Sequence, residues 1–84
     1  MRHWIGRTVG EVLALCNVRF SEVSMIDEPP GKLRAVAFTC RDPAGDSKVE
    51  LAFDYDASLF SATRSWPSAL VEQRLVSGVR TLKR

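Results

Sequence analysis

No run of this sequence is apolar for longer than Val12 to Cys16, five residues, against the roughly 20 that a membrane-crossing helix needs. A spanning helix is not expected, and neither is a membrane partner. Arg2 and Arg7 flank this N-terminal region, but the apolar run is short and has no small-residue cleavage site. Residues 1–16 therefore do not read as a secretory leader, and the expected compartment is the cytoplasm. Glycine and proline are sparse, at five and four of 84 residues, which excludes collagen-like and low-complexity chains. Histidine occurs once, at His3, where spacing gives it no partner that would make it a general base. Nucleophile-elbow, Walker A, H-E-x-x-H and dinucleotide fingerprints are all missing. The expectation is a protein without a cofactor and not an enzyme of a familiar motif-bearing class. A charge excess is missing too: 12 Lys and Arg against 10 Asp and Glu leave a net charge of +2, too balanced to require a polyanionic partner.

There are two cysteines, Cys16 and Cys40, whose spacing matches no common zinc or redox motif. The first falls on an expected helix and the second on an expected strand. Two reduced thiols acting as small core hydrophobes are the favoured reading, with a bridge or a metal pair as alternatives.

What is present is the composition of a globular protein, 45% hydrophobic and 26% charged, sized for one domain over residues 1–84. Thr8-Val9-Gly10-Glu11 is an [ST]-x-x-E capping box, in which the Thr8 hydroxyl accepts from the Glu11 amide and the Glu11 carboxylate from the Thr8 amide. Val9, Val12, Leu13 and Cys16 follow as one apolar stripe, and Asn17 is a plausible stop. Gly10 inside the first turn costs up to ~1 kcal/mol relative to Ala, which points to something packed closely against it.

A connector then leads to a strand near residues 22–27. Glu28-Pro29-Pro30-Gly31 cannot continue a ladder and marks a turn. Residues 32–41 read as a central strand with two fairly apolar faces, Val36, Phe38 and Cys40 on one and Leu33, Ala35, Ala37 and Thr39 on the other. Asp42 to Asp46 read as a hairpin loop. Val49, Leu51, Phe53 and Tyr55 alternate with Lys48, Glu50, Ala52, Asp54 and Asp56 as a third strand. Asp56 or Ser58 is placed to cap a short helical turn, and a second helix is expected from Pro67, with Leu70, Val71 and Leu75 on its apolar face and Gly78 just past its end. Residues 79–84 read as a helix extension, an edge strand or a tail.

The expected fold class is α+β: an N-terminal helix, a three-stranded antiparallel meander, and a C-terminal helix on one sheet face, in the order α-β-β-β-α. One such layer of helix leaves the second sheet face and both sheet edges uncovered.

Three classes of function follow. The first is a small non-catalytic interaction or regulatory domain, self-associating or binding another protein through Leu33, Ala35 and Ala37 of the uncovered face, with Trp4 and Trp66 as contact residues or as plugs of the core. The second is nucleic-acid association through a patch formed by Arg2, Arg7, Arg74, Arg80, Lys83 and Arg84, if the two termini meet in space. The third is a small-ligand binder or enzyme with Asp54, Tyr55 and Asp56 at its pocket, Asp54 and Asp56 being spaced to share a cation or to divide acid and base roles. Charge alternation on a solvated sheet face explains the two aspartates without any ligand.

Overall fold

The computed structural model describes residues 4–41 and 45–82. His3, Arg2, Lys83, Arg84 and residues 42–44 of the expected hairpin loop lie outside them. Chain order begins with helix α1 (Val9–Leu15), a 3-10 turn (Phe20–Glu22) and strands β1 (Ser24–Ile26), β2 (Ala35–Cys40) and β3 (Ser47–Ala52). It ends with a second 3-10 turn (Ala57–Leu59), the single-turn helix α2 (Ser68–Glu72) and strand β4 (Gly78–Leu82). The four strands form one antiparallel sheet in the order β1-β2-β3-β4.

The mixed α+β class and the antiparallel sheet agree with the sequence reading, but the α-β-β-β-α order is corrected in two places. The C-terminal helix shrinks to the five residues Ser68–Glu72, because residues 74–76 leave it to pair with the 6–9 segment, Leu75 opposite Thr8 and 61% exposed. Gly78 does not follow a helix end but opens a fourth strand, whose residues pair with β3 from Ala52↔Gly78 to Lys48↔Leu82. β3 had unfilled hydrogen-bonding groups along its outer edge, and an extended C-terminal segment satisfies them.

α1 forms where its capping box lies. Thr8 Oγ1 accepts from the Glu11 amide at 3.1 Å, and Glu11 Oε1 accepts from the Thr8 amide at 2.8 Å. Val9, Val12 and Leu13 of α1, Val36 and Phe38 of β2, Val49 and Leu51 of β3 and Val71 of α2 share one core cluster. Both helices therefore cover the same face of the sheet. The close neighbour expected at Gly10 is α2: a Cβ there would stand 3.1 Å from Glu72 Cβ and 3.3 Å from its carbonyl oxygen.

Cys16 and Cys40 are joined in a disulfide, with 4.7 Å between their Cα atoms, and neither is a free thiol. This corrects the reading of two reduced thiols. Both side chains are buried in the core, as that reading had them, but the end of α1 and the last residue of β2 are brought within bridging distance.

A second long-range tie closes the opposite end of the sheet. The turn after β1 contains the cis Glu28–Pro29 peptide and Gly31 at a φ of +87°. Asp27, 6% exposed, accepts a forked pair from Arg64 at 2.6 and 2.8 Å and the Gly31 amide at 3.0 Å. Ser61 N donates to Gly31 O at 2.8 Å, and a Cβ on Gly31 would stand 2.8 Å from Ser61 O. Glycine is required there on two counts, its left-handed φ and the lack of space.

Candidate interaction surface

Strand alternation divides the sheet into two faces. Val36, Phe38, Cys40, Val49 and Leu51 point into the core. The residues between them point the other way, toward a face to which neither helix contributes. The strand registers set these outward residues in rungs. One rung is Ile26, Ala35, Ala52 and Gly78; the next is Ser24, Ala37, Glu50 and Arg80; the third is Thr39, Lys48 and Leu82.

Small side chains in the first rung leave an open depression of about 440 Å³ lined by Ala35 and Ala52, with Ile26, Arg34, Glu50 and Ser77 at its rim. Two smaller hollows adjoin it and share Phe53 and Asp54 with it. The face is thus flat to slightly concave, apolar along its floor and charged at its border. Arg80 Nη2 donates to Glu50 Oε1 at 2.9 Å across the second rung. Lys48 is exposed, and the ion pairs among the described residues do not include it.

Of the residues expected at an interaction surface, Ala35 and Ala37 lie on this open face. They expose only 4% and 7% of their area, because each methyl is flanked by side chains of the neighbouring strands. Leu33 is corrected: β2 begins at Ala35, and Leu33, preceding it, is fully buried in the core cluster. Trp4 and Trp66 take the core alternative, at 4% and 9% exposure. The Trp66 indole N–H donates to Leu59 O at 2.7 Å, which satisfies its polar edge inside the core.

Of the expected terminal basic patch, Arg2, Lys83 and Arg84 lie outside the described residues, and backbone bonds join only the segments that carry Arg7 and Arg74. Gly6 N donates to Val76 O, Val76 N to Arg7 O and Val9 N to Arg74 O, each at 2.8 Å, so residues 6–9 run beside residues 74–76. The charges do not gather there uncompensated. Arg74 donates to Asp56 at 2.6 Å and to Ser58 at 3.0 Å, and Arg80 is held by Glu50. Arg7 is exposed, and its nearness helps to hold the Glu11 carboxyl below its usual range, after that group's hydrogen bonds to Thr8.

The aspartates expected to share a ligand are separated in role. β3 ends at Ala52, so Asp54 and Asp56 are not on one strand. Asp56 caps the second 3-10 turn by accepting from the Ser58 amide and hydroxyl, and the hydroxyl bond, then Arg74, then the amide hold its carboxyl below its usual range. Asp54 is exposed at the rim of the hollows, with Tyr55 lining one of them. No group of three metal-ligating side chains occurs among the described residues.

No signal in a single strand marks the open face as a site. Its definition depends on the register of β4 against β3, a pairing between segments about thirty positions apart. Compared with known proteins, the chain matches no protein-family model, no curated protein and no solved structure.

Proposed function

We propose that this chain is a small non-catalytic protein-interaction domain that docks a partner on its open sheet face, the partner being a second copy or another protein. The observation that carries this reading is the four-stranded sheet with both helices on one side and a shallow apolar floor, Ala35 and Ala52, on the other. Flat apolar floors with a charged border are the form that protein contacts take, whereas small-molecule sites are deeper and more enclosed. The test is Ala52→Glu, which places a carboxylate on the floor without entering the core. Wild-type protein is expected to self-associate in light scattering or to retain a partner in pull-downs, and the variant to lose that association with an unchanged circular dichroism spectrum. Equal binding by the folded variant would remove the open face from the reading.

Nucleic-acid association through Arg7, Arg74 and Arg80 ranks second, supported by the backbone bonds between residues 6–9 and 74–76 and weakened by the acids that hold two of those arginines. A pocket at Asp54 and Tyr55 ranks third, since its hollow is open. As for compartment, no described helix is long and apolar enough to cross a membrane. The buried Cys16–Cys40 bridge favours an oxidising compartment over the cytoplasm expected from the sequence.

A further inference from the structure

The Cys16–Cys40 bridge lies where a dissolved thiol does not reach it. Cys16 is fully buried and Cys40 is 3% exposed, and both belong to the core cluster shared with Val12 and Leu13 of α1 and Phe38 of β2. Thiol–disulfide exchange needs a thiolate to arrive at a sulfur atom, so its rate depends on access as well as on thiol chemistry. The bridge therefore exchanges only from an opened form of the molecule.

What opens is set by how each neighbour of the bridge is held. β2, which ends in Cys40, is a central strand, paired with β1 through Ala35 to Ala37 and with β3 along its whole length. α1, which ends beside Cys16, is held differently. Among the described residues its backbone is joined to the rest of the fold at its two ends, where Val9 N donates to Arg74 O at 2.8 Å and Arg41 N donates to Cys16 O at 3.2 Å. Between those ends it is held by the packing of Val9, Val12 and Leu13 and by the approach of Gly10 to Glu72. Local openings draw on segments with few bonds while paired strands stay closed.

We propose that α1 is a lid over the bridge, so that the oxidation state of the cysteine pair is fixed when the helix docks and changes only when it lifts. In the lifted form, exchange with a dithiol reductant takes two steps. A thiolate of the reductant attacks the Cys16 sulfur, the S–S bond breaks, and Cys40 leaves as a thiolate that takes a proton. The second thiol of the reductant, deprotonated, then attacks the reductant's own sulfur in the mixed disulfide and releases Cys16. The cysteine pair gains two electrons and two protons, and the dithiol ends as a cyclic disulfide. Formation is the reverse, from a disulfide oxidant, and takes place before or as α1 seats.

The test follows reduction of the full oxidised chain by excess dithiothreitol, quenched by alkylation at intervals and read by mass spectrometry. Reduction in buffer is expected to be slower than in denaturing urea by about a hundredfold or more, and equal rates would overturn the proposal. Below the unfolding midpoint the rate is expected to rise with urea less steeply than the unfolding constant, because lifting one helix exposes less surface than unfolding the chain. Equal slopes would make the opening one of the whole molecule and overturn the lid. Thr8→Ala, which removes the helix cap and leaves the bridge untouched, is expected to speed reduction in buffer about fivefold, and Thr8→Ser to restore the wild-type rate. Asp27→Asn weakens the opposite end of the sheet and is expected to leave the rate unchanged. Acceleration by Asp27→Asn in proportion to its loss of stability, or none by Thr8→Ala, would also overturn the lid. None of these outcomes bears on the open sheet face, whose test is separate.

Discussion

At the scale of single residues, the tie between Asp27 and Arg64 links segments 37 positions apart. Arg64, at a φ of +58°, directs its guanidinium fork onto a carboxylate that is almost fully covered, while its own side chain is 59% exposed. The Arg64 hydrogen bonds and then the Gly31 amide lower the Asp27 carboxyl from its ordinary value of 3.8 to about 2. The sign of the pH effect follows from linkage: the unfolded chain takes up this proton before the folded one does. The contribution of Asp27 to stability is complete above the ordinary value and is lost as pH falls through it toward about 2. Thermal melts of the wild type are expected to weaken across that window, and those of Asp27→Asn to start lower at neutral pH and to fall less across it. Parallel curves for the two proteins would show that the pair is not formed. Glu11, Glu22 and Asp56, also lowered by their hydrogen bonds, titrate in both proteins and cancel in the comparison.

At the scale of elements, the sequence was legible where one local signal decides the structure. The Thr8–Glu11 box fixed the start of α1, the Pro-Pro-Gly turn ended β1, and alternation through Val49 and Leu51 fixed the facing of β3. It was less legible where pairing partners decide. Leu33 continues an alternating pattern yet is drawn into the core beside Leu59, to whose carbonyl its amide donates at 3.4 Å. Gly78-Val79-Arg80 reads equally well as a helix exit or a strand until β3 is seen to lack a neighbour. The outward facing of Ala35 and Ala37 was read from alternation in one strand, but Arg80, which closes the border beside Glu50, required the fourth strand. Gly10 joins the two kinds of information. Helix propensity alone says that Gly10→Ala gains up to ~1 kcal/mol. The new methyl would press on the backbone carbonyl of Glu72 in α2, and overpacking of that kind typically costs 1–3 kcal/mol. The expected result is a net loss of about 1 kcal/mol in urea unfolding, and a gain instead would mean that α2 yields.

At the scale of the whole molecule, an 84-residue chain has a net stability of roughly 4–12 kcal/mol, so one covalent tie matters to whether it stays folded. The Cys16–Cys40 bridge joins the end of α1 to the end of β2 across 24 positions, and closing a loop of that length removes unfolded-state entropy equivalent to about 3.5 kcal/mol. Polar contacts brace the same corner: Arg41 N donates to Cys16 O at 3.2 Å, while its guanidinium reaches Asn17 O at 2.8 Å and Glu22 at 2.6 Å. These groups are exposed and worth little alone, so the covalent link dominates the corner. Without it α1 is held to the sheet by core contacts, and β2, the central strand beneath both the core and the open face, loses its anchor to the helix layer. Protein prepared without reductant is expected to show no free thiol in denaturant, and two after reduction. Its unfolding free energy is expected to fall by about 3.5 kcal/mol on reduction, leaving a marginal fold. Two titratable thiols before reduction, or an unchanged midpoint after it, would refute the bridge and with it the argument for an oxidising compartment. Retained partner binding by reduced, folded protein would show that the open face needs only the sheet and not the tie beneath it.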